Sequence, residues 1–341
     1  MKRRILVTGG AGFMGSNFVR HLLERYPDYH LVILDALTYA GNLENFPPEA
    51  RGNPCFTFWH GNVRNMALVE ELANGSDAIV HFAAETHVPR SIGDNTIFLE
   101  TDVLGTQAVA AAALKAGVER FIHISSSEVY GTALAAPMTE EHPLNPTSPY
   151  AAAKAGADRL VFSYATTYGL PAIILRPFNN YGSHQHLEKV VPRFITHALL
   201  SEPLMIHGDG RHTRDWLYVG DFCEAVDQAM HGDLASLRGE VINLGTGVDT
   251  PILTLAERIL AHLGKPRSLI TCVGDRPGQV RRHISSTEKA FALLGWRAKT
   301  GLEEGLSRTI QWYADHPKWW EKLLWMRAVT ITDSEGRSST Y

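Results

Sequence analysis

A tyrosine and a lysine four residues apart, Tyr150 and Lys154, are the strongest chemical signal in this 341-residue chain. On a helix they share one face, where the lysine ammonium can lower the pKa of the phenol and make it a usable base near neutral pH. The preceding run, Ser125 to Gly131, adds a carboxylate, Glu128. Simple oxidation of an alcohol does not require a second carboxylate base. The pattern therefore indicates a reaction that goes beyond oxidation.

A glycine-rich segment near the N-terminus has the context of a dinucleotide-binding loop. Gly9, Gly12 and Gly15 follow a short apolar run and open a helical pattern, which suits a tight turn, close approach of a pyrophosphate and helix packing. Asp35 stands twenty residues beyond Gly15, where its carboxylate can accept hydrogen bonds from ribose hydroxyls. Because this carboxylate would repel a 2′-phosphate, NAD is favoured over NADP.

The elements that must position these residues follow a regular alternation in the first half of the chain. Short β-branched runs alternate with amphipathic stretches, which predicts an α/β fold, a Rossmann-like doubly wound parallel sheet. The predicted strands cover residues 5–8, 31–34, 56–60, 78–82, 120–125 and 172–175, and the predicted helices cover 16–26, 66–73, 101–116 and 149–168.

Loop signals become frequent after Arg176 and Pro177, where paired asparagines and several short glycine-containing motifs appear. We expect an NAD-binding domain over residues 1–177 with a return segment near 214–245. A smaller α/β domain over 178–330 is expected to bind the substrate. A polar, mobile tail is predicted over 331–341.

The composition excludes several classes of function. The formal net charge is -4, from 32 basic and 36 acidic residues without a basic block, so no nucleic-acid partner is expected. Cys55, Cys223 and Cys272 are widely spaced and form no CxxC pair, which predicts three buried thiols in a reducing cytoplasm.

Membrane and metal sites are also not expected. No apolar run approaches the roughly eighteen residues that cross a bilayer, and the first residues are typical of a strand rather than an export signal. The 16 histidines show no metal-binding spacing. His184 alone is an alternative candidate for a substrate contact or proton donor.

Taken together, the glycine loop, the Ser-Ser-x-Glu-Val-Tyr-Gly run and the tyrosine-lysine pair resemble the extended short-chain dehydrogenase/reductase superfamily that acts on nucleotide sugars. Within it, the chain is most similar to dTDP-glucose 4,6-dehydratases. The segments that carry this narrower resemblance are Asp35 to Asn42, Ala83 to Val88, Asn179 to Gly182, Glu188 and Lys189 with Pro192, Gly208 to Gly210 with Arg214 to Trp216, and Asp275 to Gly278.

The resemblance implies binding sites for NAD and for a nucleotide-diphosphate sugar. Thr86 and Asn180 would contact the sugar and its phosphate, Lys189 would lie near the nucleotide, and Arg214 and Arg276 would neutralise the diphosphate. The residues implied for NAD are Gly9, Gly12, Phe13, Met14, Gly15, Asp35, Thr38, Gly41, Asn62, Val63, Ala83, Ala84, Tyr150 and Lys154.

The resemblance also implies roles in a three-step reaction. Tyr150 would take the proton of the sugar 4-hydroxyl, with Lys154 holding its pKa down and Ser126 hydrogen-bonded to the 4-oxygen. Glu128 would then take the C5 proton of the 4-ketone. Loss of the 6-hydroxyl and return of hydride to C6 would complete a 4,6-dehydration. The family likeness further implies a homodimer.

One departure from the family pattern leaves alternatives open. Where these dehydratases carry Thr-Asp-Glu, this chain has Ser126-Ser127-Glu128, so the acid that protonates the leaving hydroxyl is missing. The hydroxyl of Ser127 has too high a pKa to be an efficient acid. Glu128 could perform both proton transfers, as is implied by the similar Ser/Thr-Ser-Glu pattern of GDP-mannose 4,6-dehydratases.

Three other functions rank lower. A nucleotide-linked uronic acid decarboxylase would need a cation for the substrate carboxylate, yet Ser183 and His184 stand where the family likeness would place an arginine. A 4-epimerase would leave Glu128 without a task. A protein that only binds NAD or a sugar nucleotide would gain nothing from Tyr150 and Lys154.

Overall fold

The computed structural model of the protein describes residues 3–275, 278–332 and 338–340. The strands are β1 (Arg4–Thr8), β2 (His30–Asp35), β3 (Phe56–His60), β4 (Ala78–His81), β5 (Arg120–Ile124), β6 (Ala172–Pro177), β7 (Asn179–Tyr181), β8 (Leu204–His207), β9 (Thr213–Tyr218), β10 (Val241–Leu244), β11 (Asp249–Pro251), β12 (Ile270–Val273), β13 (Thr330–Thr332) and β14 (Ser338–Thr340).

Helices follow most of these strands. The α-helices are Phe13–Arg25, Met66–Ala73, Val88–Gly93, Thr96–Phe98, Thr106–Ala116, Pro149–Tyr168, Val190–Leu199, Val219–His231, Leu234–Leu237, Ile252–His262, Glu288–Leu294, Leu302–Asp315 and Pro317–Trp320. Short 3-10 helices cover Leu43–Asn45, Pro48–Ala50, Ser127–Tyr130, Arg267–Leu269 and Glu321–Met326, and Leu99–Gly105 is π-helical.

Seven parallel strands form the main sheet in the order β10-β6-β5-β4-β1-β2-β3. The chain builds outward from β1 to β3 and then crosses to β4 on the other side of β1. This reversal creates a crevice at the carboxyl ends of β1 and β4, the usual place for a dinucleotide in such sheets. The predicted Rossmann-like α/β fold is confirmed.

Apolar side chains cover both faces of this sheet. On one face, Phe18 and Phe222 from the helices Phe13–Arg25 and Val219–His231 pack against alternate strand residues. On the other, Val109 and Val161 belong to a second cluster. Because parallel strands are buried on both faces, their sequences read as continuous apolar runs.

The helix that ends at Ala116 is longer than predicted. It begins at Thr96 rather than near residue 101 and continues through the π-helical segment. By length and composition it could cross a membrane, contrary to the expectation from the sequence. Half of its most apolar window is buried inside the fold, and a core helix of a globular protein passes the same test.

A third apolar cluster lies beyond β6, under the helices Val190–Leu199, Ile252–His262 and Leu302–Asp315. The tryptophans Trp319 and Trp320 belong to it. The sheet formed by β7, β9 and β11 and the pair formed by β8 and β12 flank this cluster. The strand β10 returns to the main sheet beside β6.

Of the three cysteines predicted to be buried, only Cys223 is. Cys55 is half-buried and Cys272 is exposed, so the prediction is wrong for these two.

Part of the predicted polar tail has regular structure. The strands β13 and β14 pair in antiparallel register, with Thr330 opposite Thr340 and Thr332 opposite Ser338. Threonine and isoleucine favour extended backbone, which accounts for the pairing. The division of the chain into the two domains given above remains a proposal.

Candidate active site

The glycine loop joins β1 to the helix Phe13–Arg25. A Cβ atom at Gly9, where φ is +70°, would lie 2.5 Å from the Ala83 nitrogen, and one at Gly15 would lie 2.3 Å from the Gly9 oxygen. Packing therefore requires both glycines. A Cβ at Gly12 would meet only the Gly9 oxygen, at 3.4 Å, and Gly12 lies on a cavity wall at the helix N-terminus. Backbone there can approach an anion closely, as a pyrophosphate requires.

Asp35, at the end of β2, is fixed by backbone donors. Its Oδ2 accepts from the Ala11 nitrogen and its Oδ1 from the Leu37 nitrogen, both at 2.8 Å. Burial raises the pKa of this carboxyl, while the two hydrogen bonds oppose the shift. A Cβ atom at Gly41 would lie 2.8 Å from Oδ1, so a larger residue there would press on the carboxylate. The position suits hydrogen bonds to ribose hydroxyls.

The turn after β5 presents the serine and glutamate side chains. Ser126 caps the short helix Ser127–Tyr130, because its Oγ accepts a hydrogen bond from the Glu128 nitrogen at 3.2 Å. Gly131 ends the turn with φ at +67°, and a Cβ atom there would lie 2.1 Å from the Asn145 oxygen. The turn is thus held at both ends, which fixes the direction of the glutamate.

The tyrosine and lysine occupy the first two turns of the helix Pro149–Tyr168. Burial raises the pKa of the Tyr150 phenol, and a hydrogen bond with Ser126 opposes this shift. Lys154 Nζ donates to the Ile124 oxygen at 2.7 Å, and burial lowers the pKa of its ammonium. The lowered phenol pKa expected from the lysine is therefore not found in this structure, because burial outweighs the opposing influences.

A buried carboxyl lies near this pair. Asp102 accepts a hydrogen bond from the Glu85 nitrogen at 2.7 Å. Burial raises the pKa of Asp102 to about 7, although the charge of Lys154 opposes the shift.

The substrate candidates come from separate elements. Lys189 Nζ donates to the backbone oxygen of Thr86, which joins two of them directly. Asn180 Nδ2 donates to the Phe178 oxygen at 3.0 Å. Arg214 Nη1 donates to the Val280 oxygen at 2.8 Å. These bonds hold the side chains of Lys189, Asn180 and Arg214 in place.

One cavity of about 410 Å³ at the carboxyl ends of the main sheet brings together the glycine loop, Asp35, the turn after β5, the tyrosine-lysine pair and the substrate candidates. The sequence-predicted residues that line it are Gly9, Gly12, Phe13, Met14, Gly15, Asp35, Thr38, Gly41, Asn62, Val63, Ala83, Ala84, Thr86, Ser126, Ser127, Glu128, Tyr150, Lys154, Asn180, Lys189 and Arg214. The remaining candidate, Arg276, lies outside the described residues.

Sequence reasoning missed other residues on the cavity wall. Arg193 lies one helical turn beyond Lys189 and lines the cavity with it, a spacing that could have indicated its place. Glu188 is buried with its Oε2 3.0 Å from Arg90 Nε. His186 lines the same wall.

The loop after Tyr181 provides no arginine to the cavity. Ser183 Oγ donates to Asn17 Oδ1 at 3.3 Å, and the ring of His184 packs 4.3 Å from that of Trp312. Neither residue lines the cavity. In the part of the chain that the structure describes, no group of three or more His, Cys, Asp or Glu side chains could hold a metal ion.

Comparisons with known proteins agree on a family. The family model for GDP-mannose 4,6 dehydratase matches residues 6–309. The low-salt glycan biosynthesis protein Agl12 of Haloferax volcanii is 45% identical over 91% of this chain and 98% of its own length. A dTDP-glucose 4,6-dehydratase of Streptomyces antibioticus is 43% identical, with 94% of this chain and 95% of that protein covered.

A solved structure shows similarity to the same family. The dTDP-glucose 4,6-dehydratase DesIV of Streptomyces venezuelae, crystallised with NAD and TYD bound, superposes with a TM-score of 0.89 at 42% identity. The match covers 94% of this chain and 99% of that one. The chain belongs to the GDP-mannose 4,6-dehydratase family, within the nucleotide-sugar dehydratases of the extended short-chain dehydrogenase/reductase superfamily.

Proposed function

We propose that this chain is an NAD-dependent nucleotide-sugar 4,6-dehydratase that makes a 4-keto-6-deoxy sugar nucleotide. One observation carries the proposal: Tyr150, Ser126 and Glu128 line the same cavity as the glycine loop and Asp35. A base for a hydroxyl proton and a base for a C–H proton thus share one chamber with a dinucleotide site. The names of the relatives support the same activity.

NAD fits the residues present. The first turn of the helix Phe13–Arg25 offers backbone N–H groups for the pyrophosphate, and Asp35 offers carboxylate oxygens for the adenosine ribose. Lys154 would hold the nicotinamide ribose. Bound NAD would supply the acceptor for the hydride from the sugar C4 and the donor of that hydride to C6, and it would thus remain a resident cofactor.

Tyr150 and Ser126 perform the first proton transfer in this proposal. Their hydrogen bond places two oxygens where the sugar 4-hydroxyl would bind. Tyr150 takes the hydroxyl proton, while Ser126 steadies the 4-oxygen as its carbonyl forms. The new ketone makes the C5 proton acidic.

Glu128 performs the second proton transfer. Its side chain is 18% exposed and lines the cavity beside Ser127. A carboxylate within reach of C5 removes that proton, and a proton must then reach the 6-hydroxyl before it departs as water. General-base catalysis of this kind contributes about 10²- to 10⁴-fold.

The same cavity also suits the nucleotide diphosphate. Lys189, Arg193 and Arg214 bring three cations to its wall. Thr86 and Asn180 lie there as candidates for the sugar and its phosphate. Because the relatives include enzymes named for dTDP-glucose, that nucleotide sugar is the first substrate to test.

The test uses purified protein with dTDP-glucose, UDP-glucose, GDP-mannose and UDP-glucuronic acid, and mass spectrometry of the products. Loss of one water from a hexose nucleotide supports the proposal. Loss of carbon dioxide from the uronic acid would indicate a decarboxylase, and an isomer of unchanged mass an epimerase. No product from any sugar would favour a binding protein.

The role of Glu128 is tested separately with Glu128→Gln. This variant should still oxidise C4 but lose no water, so reduced-nicotinamide absorbance accumulates. Glu141→Gln, the same change at an exposed position, is the matched control. Unchanged water loss in the first variant would exclude Glu128 as the base.

The homodimer expected from the family also remains a proposal, and an exposed apolar surface supports it. Leu99 and Leu104 are 51% and 58% exposed, and Phe162, on the helix Pro149–Tyr168, is 39% exposed. Leu104→Glu should convert a dimer to a monomer in light scattering, whereas Leu134→Glu, at a position that is 71% exposed, should not. A monomeric wild-type protein would contradict the proposed homodimer.

The cytoplasmic location expected from the sequence stays a prediction.

A further inference from the structure

A buried histidine, His283, lies next to Ser127 and Glu128, in the segment that lacks the acid for the leaving hydroxyl. His283 Nδ1 is 3.4 Å from Ser127 Oγ and 4.0 Å from Glu128 Oε1. Its ring is fully buried, whereas Ser127 and Glu128 both line the cavity. The imidazole is therefore next to the site without being part of the wall.

The backbone on both sides of this histidine is fastened. The His283 nitrogen donates to the Thr213 oxygen at 3.1 Å, and the oxygen of Ile284 accepts from the Met138 nitrogen at 2.8 Å. The ring also makes an edge contact with Phe178, with ring centres 5.8 Å apart. Little freedom remains for the imidazole to turn away from Ser127.

The hydrogen bonds define the tautomer. His283 Nε2 lies 2.7 Å from the Gly131 backbone oxygen, and a carbonyl oxygen can only accept. Nε2 therefore carries the hydrogen in the neutral ring, and Nδ1 presents its lone pair to Ser127 and Glu128. Burial lowers the pKa of this imidazole to about 4, with Glu128 opposing, so the ring is neutral at rest.

Resting on the proposed function, we propose that His283 and Ser127 form a relay that carries a proton from Glu128 to the departing 6-hydroxyl of the sugar. His283 acts through Ser127 and is a positioning residue, while Ser127 touches the substrate. The relay supplies the acid that the Ser126-Ser127-Glu128 sequence lacks.

Every proton that moves in the relay is accounted for. The C5–H bond breaks and its proton binds to Glu128, which passes a proton to Nδ1 of His283. The imidazolium gives that proton to Ser127 Oγ as the serine hydroxyl gives its own to the 6-oxygen. The C6–O bond breaks, water leaves, and Glu128, His283 and Ser127 return to their starting states. No further reactant is required.

This relay differs from a mechanism in which Glu128 alone performs both transfers. In that mechanism His283 would only fill space and bond to Gly131. A glutamine side chain keeps a donor for the Gly131 oxygen but does not gain or lose a proton near neutral pH. His283→Gln therefore separates the relay from packing.

The experiment is a single-turnover reaction of the purified wild-type and variant proteins with the sugar nucleotide that the wild type dehydrates. Reduced-nicotinamide absorbance follows C4 oxidation, and quenched samples report water loss by mass. In His283→Gln the relay predicts unchanged oxidation, water loss slower by about a hundredfold or more, and accumulation of the 4-keto hexose. Ser127→Ala should give the same selective defect.

A rescue variant makes the test specific. Ser127→Asp added to His283→Gln places a carboxyl directly beside the leaving group and should restore water loss. His142→Gln, the same substitution at another largely buried histidine that is not on the cavity wall, is the matched control and should behave as wild type.

Three outcomes would overturn the relay: wild-type water loss in His283→Gln, wild-type water loss in Ser127→Ala, or an equal slowing of oxidation and water loss that Ser127→Asp does not rescue. If His283→Gln fails to fold, Ser127→Ala decides alone. Failure of the wild type to release water from any sugar nucleotide is a different result, because it contradicts the proposed dehydratase function itself.

Discussion

Two buried polar clusters of this protein differ in how completely their atoms are hydrogen-bonded. The ion-pair cluster is centred on Asp158, whose oxygens accept from Arg176 Nε at 2.8 Å, Arg176 Nη2 at 2.9 Å and Ser125 Oγ at 2.7 Å. Arg176 Nη1 donates to Tyr130, which in turn donates to Asn243. Each of these groups has a protein partner.

The cavity cluster consists of Asn180, Gln185, His186 and Glu188, all on the cavity wall. Within the described ranges of the chain, one buried polar atom of each side chain has no hydrogen-bond partner: Asn180 Oδ1, Gln185 Oε1, His186 Nε2 and Glu188 Oε1. Buried polar atoms are nearly always paired, by protein, water or ligand. A buried cluster whose polar groups all have protein partners thus indicates a structural role. Buried polar atoms without a hydrogen-bond partner on a cavity wall indicate ligand binding.

The largest expected effect comes from the catalytic part of the same cavity. Tyr150→Phe removes the phenol oxygen and should reduce turnover by about 10²- to 10⁴-fold with little change in thermal stability. Tyr168→Phe, at a tyrosine that is 59% exposed on the same helix, is the matched control. Steady-state kinetics and thermal unfolding measure the two properties. Full activity in Tyr150→Phe would remove this residue from the mechanism.

The ion-pair cluster should respond in the opposite way, through stability. Asp158→Asn leaves the buried guanidinium of Arg176 without its counter-charge, which should lower the free energy of unfolding by about 3 to 5 kcal/mol. Asp28→Asn, at an exposed aspartate, should change it by less than about 0.5 kcal/mol. Urea unfolding at neutral pH tests this. Equal stability of the two variants would show that the buried pair contributes nothing.

The pH dependence of the same variant gives a smaller effect with a definite sign. Although burial alone would raise it, the hydrogen bond and charge of Arg176 hold the pKa of Asp158 well below its usual value. A lowered folded pKa contributes stability that is present above the unfolded pKa, about 3.9, and is lost as the pH falls toward the folded value. The difference in the free energy of unfolding between the wild type and Asp158→Asn should therefore decrease below about pH 4. A difference that increases in acid would contradict the lowered pKa of Asp158.

The parts of the molecule that the sequence predicted depend on local signals. The glycine loop and Asp35 lie where the motif placed them, and β3 has the bounds 56–60 that its β-branched and aromatic residues predicted. These features are set by neighbours in the chain. The backbone preferences of each residue and the regular spacing of apolar side chains explain most of them.

What the sequence could not reveal comes from contacts between distant segments. His283 is 156 positions beyond Ser127, and no spacing rule links them. The raised pKa of Tyr150 likewise follows from burial, which depends on packing of the whole helix rather than on the lysine one turn away. Topology brings such groups together, so they appear only in the three-dimensional structure.

The smallest expected effect tests the cavity cluster directly. Asn180→Ala removes a buried oxygen that has no partner in the described part of the protein, so folding should lose little beyond the one bond from Nδ2 to Phe178. A hydrogen bond to a ligand is worth about 0.5 to 1.5 kcal/mol, which corresponds to a rise in KM for the sugar nucleotide of about 2- to 13-fold. Turnover should stay near that of the wild type.

The control for this variant is Asn74→Ala, at an exposed asparagine far from the cavity wall, which should leave both KM and stability unchanged. If Asn180→Ala instead lowers the free energy of unfolding as much as Asp158→Asn does and leaves KM unchanged, unpaired atoms would not distinguish binding groups from structural ones in this fold. A change in KM without a change in stability would extend the distinction from Asn180 to Gln185 and Glu188, whose Oε1 atoms also lack a hydrogen-bond partner among the described residues and belong to the same wall.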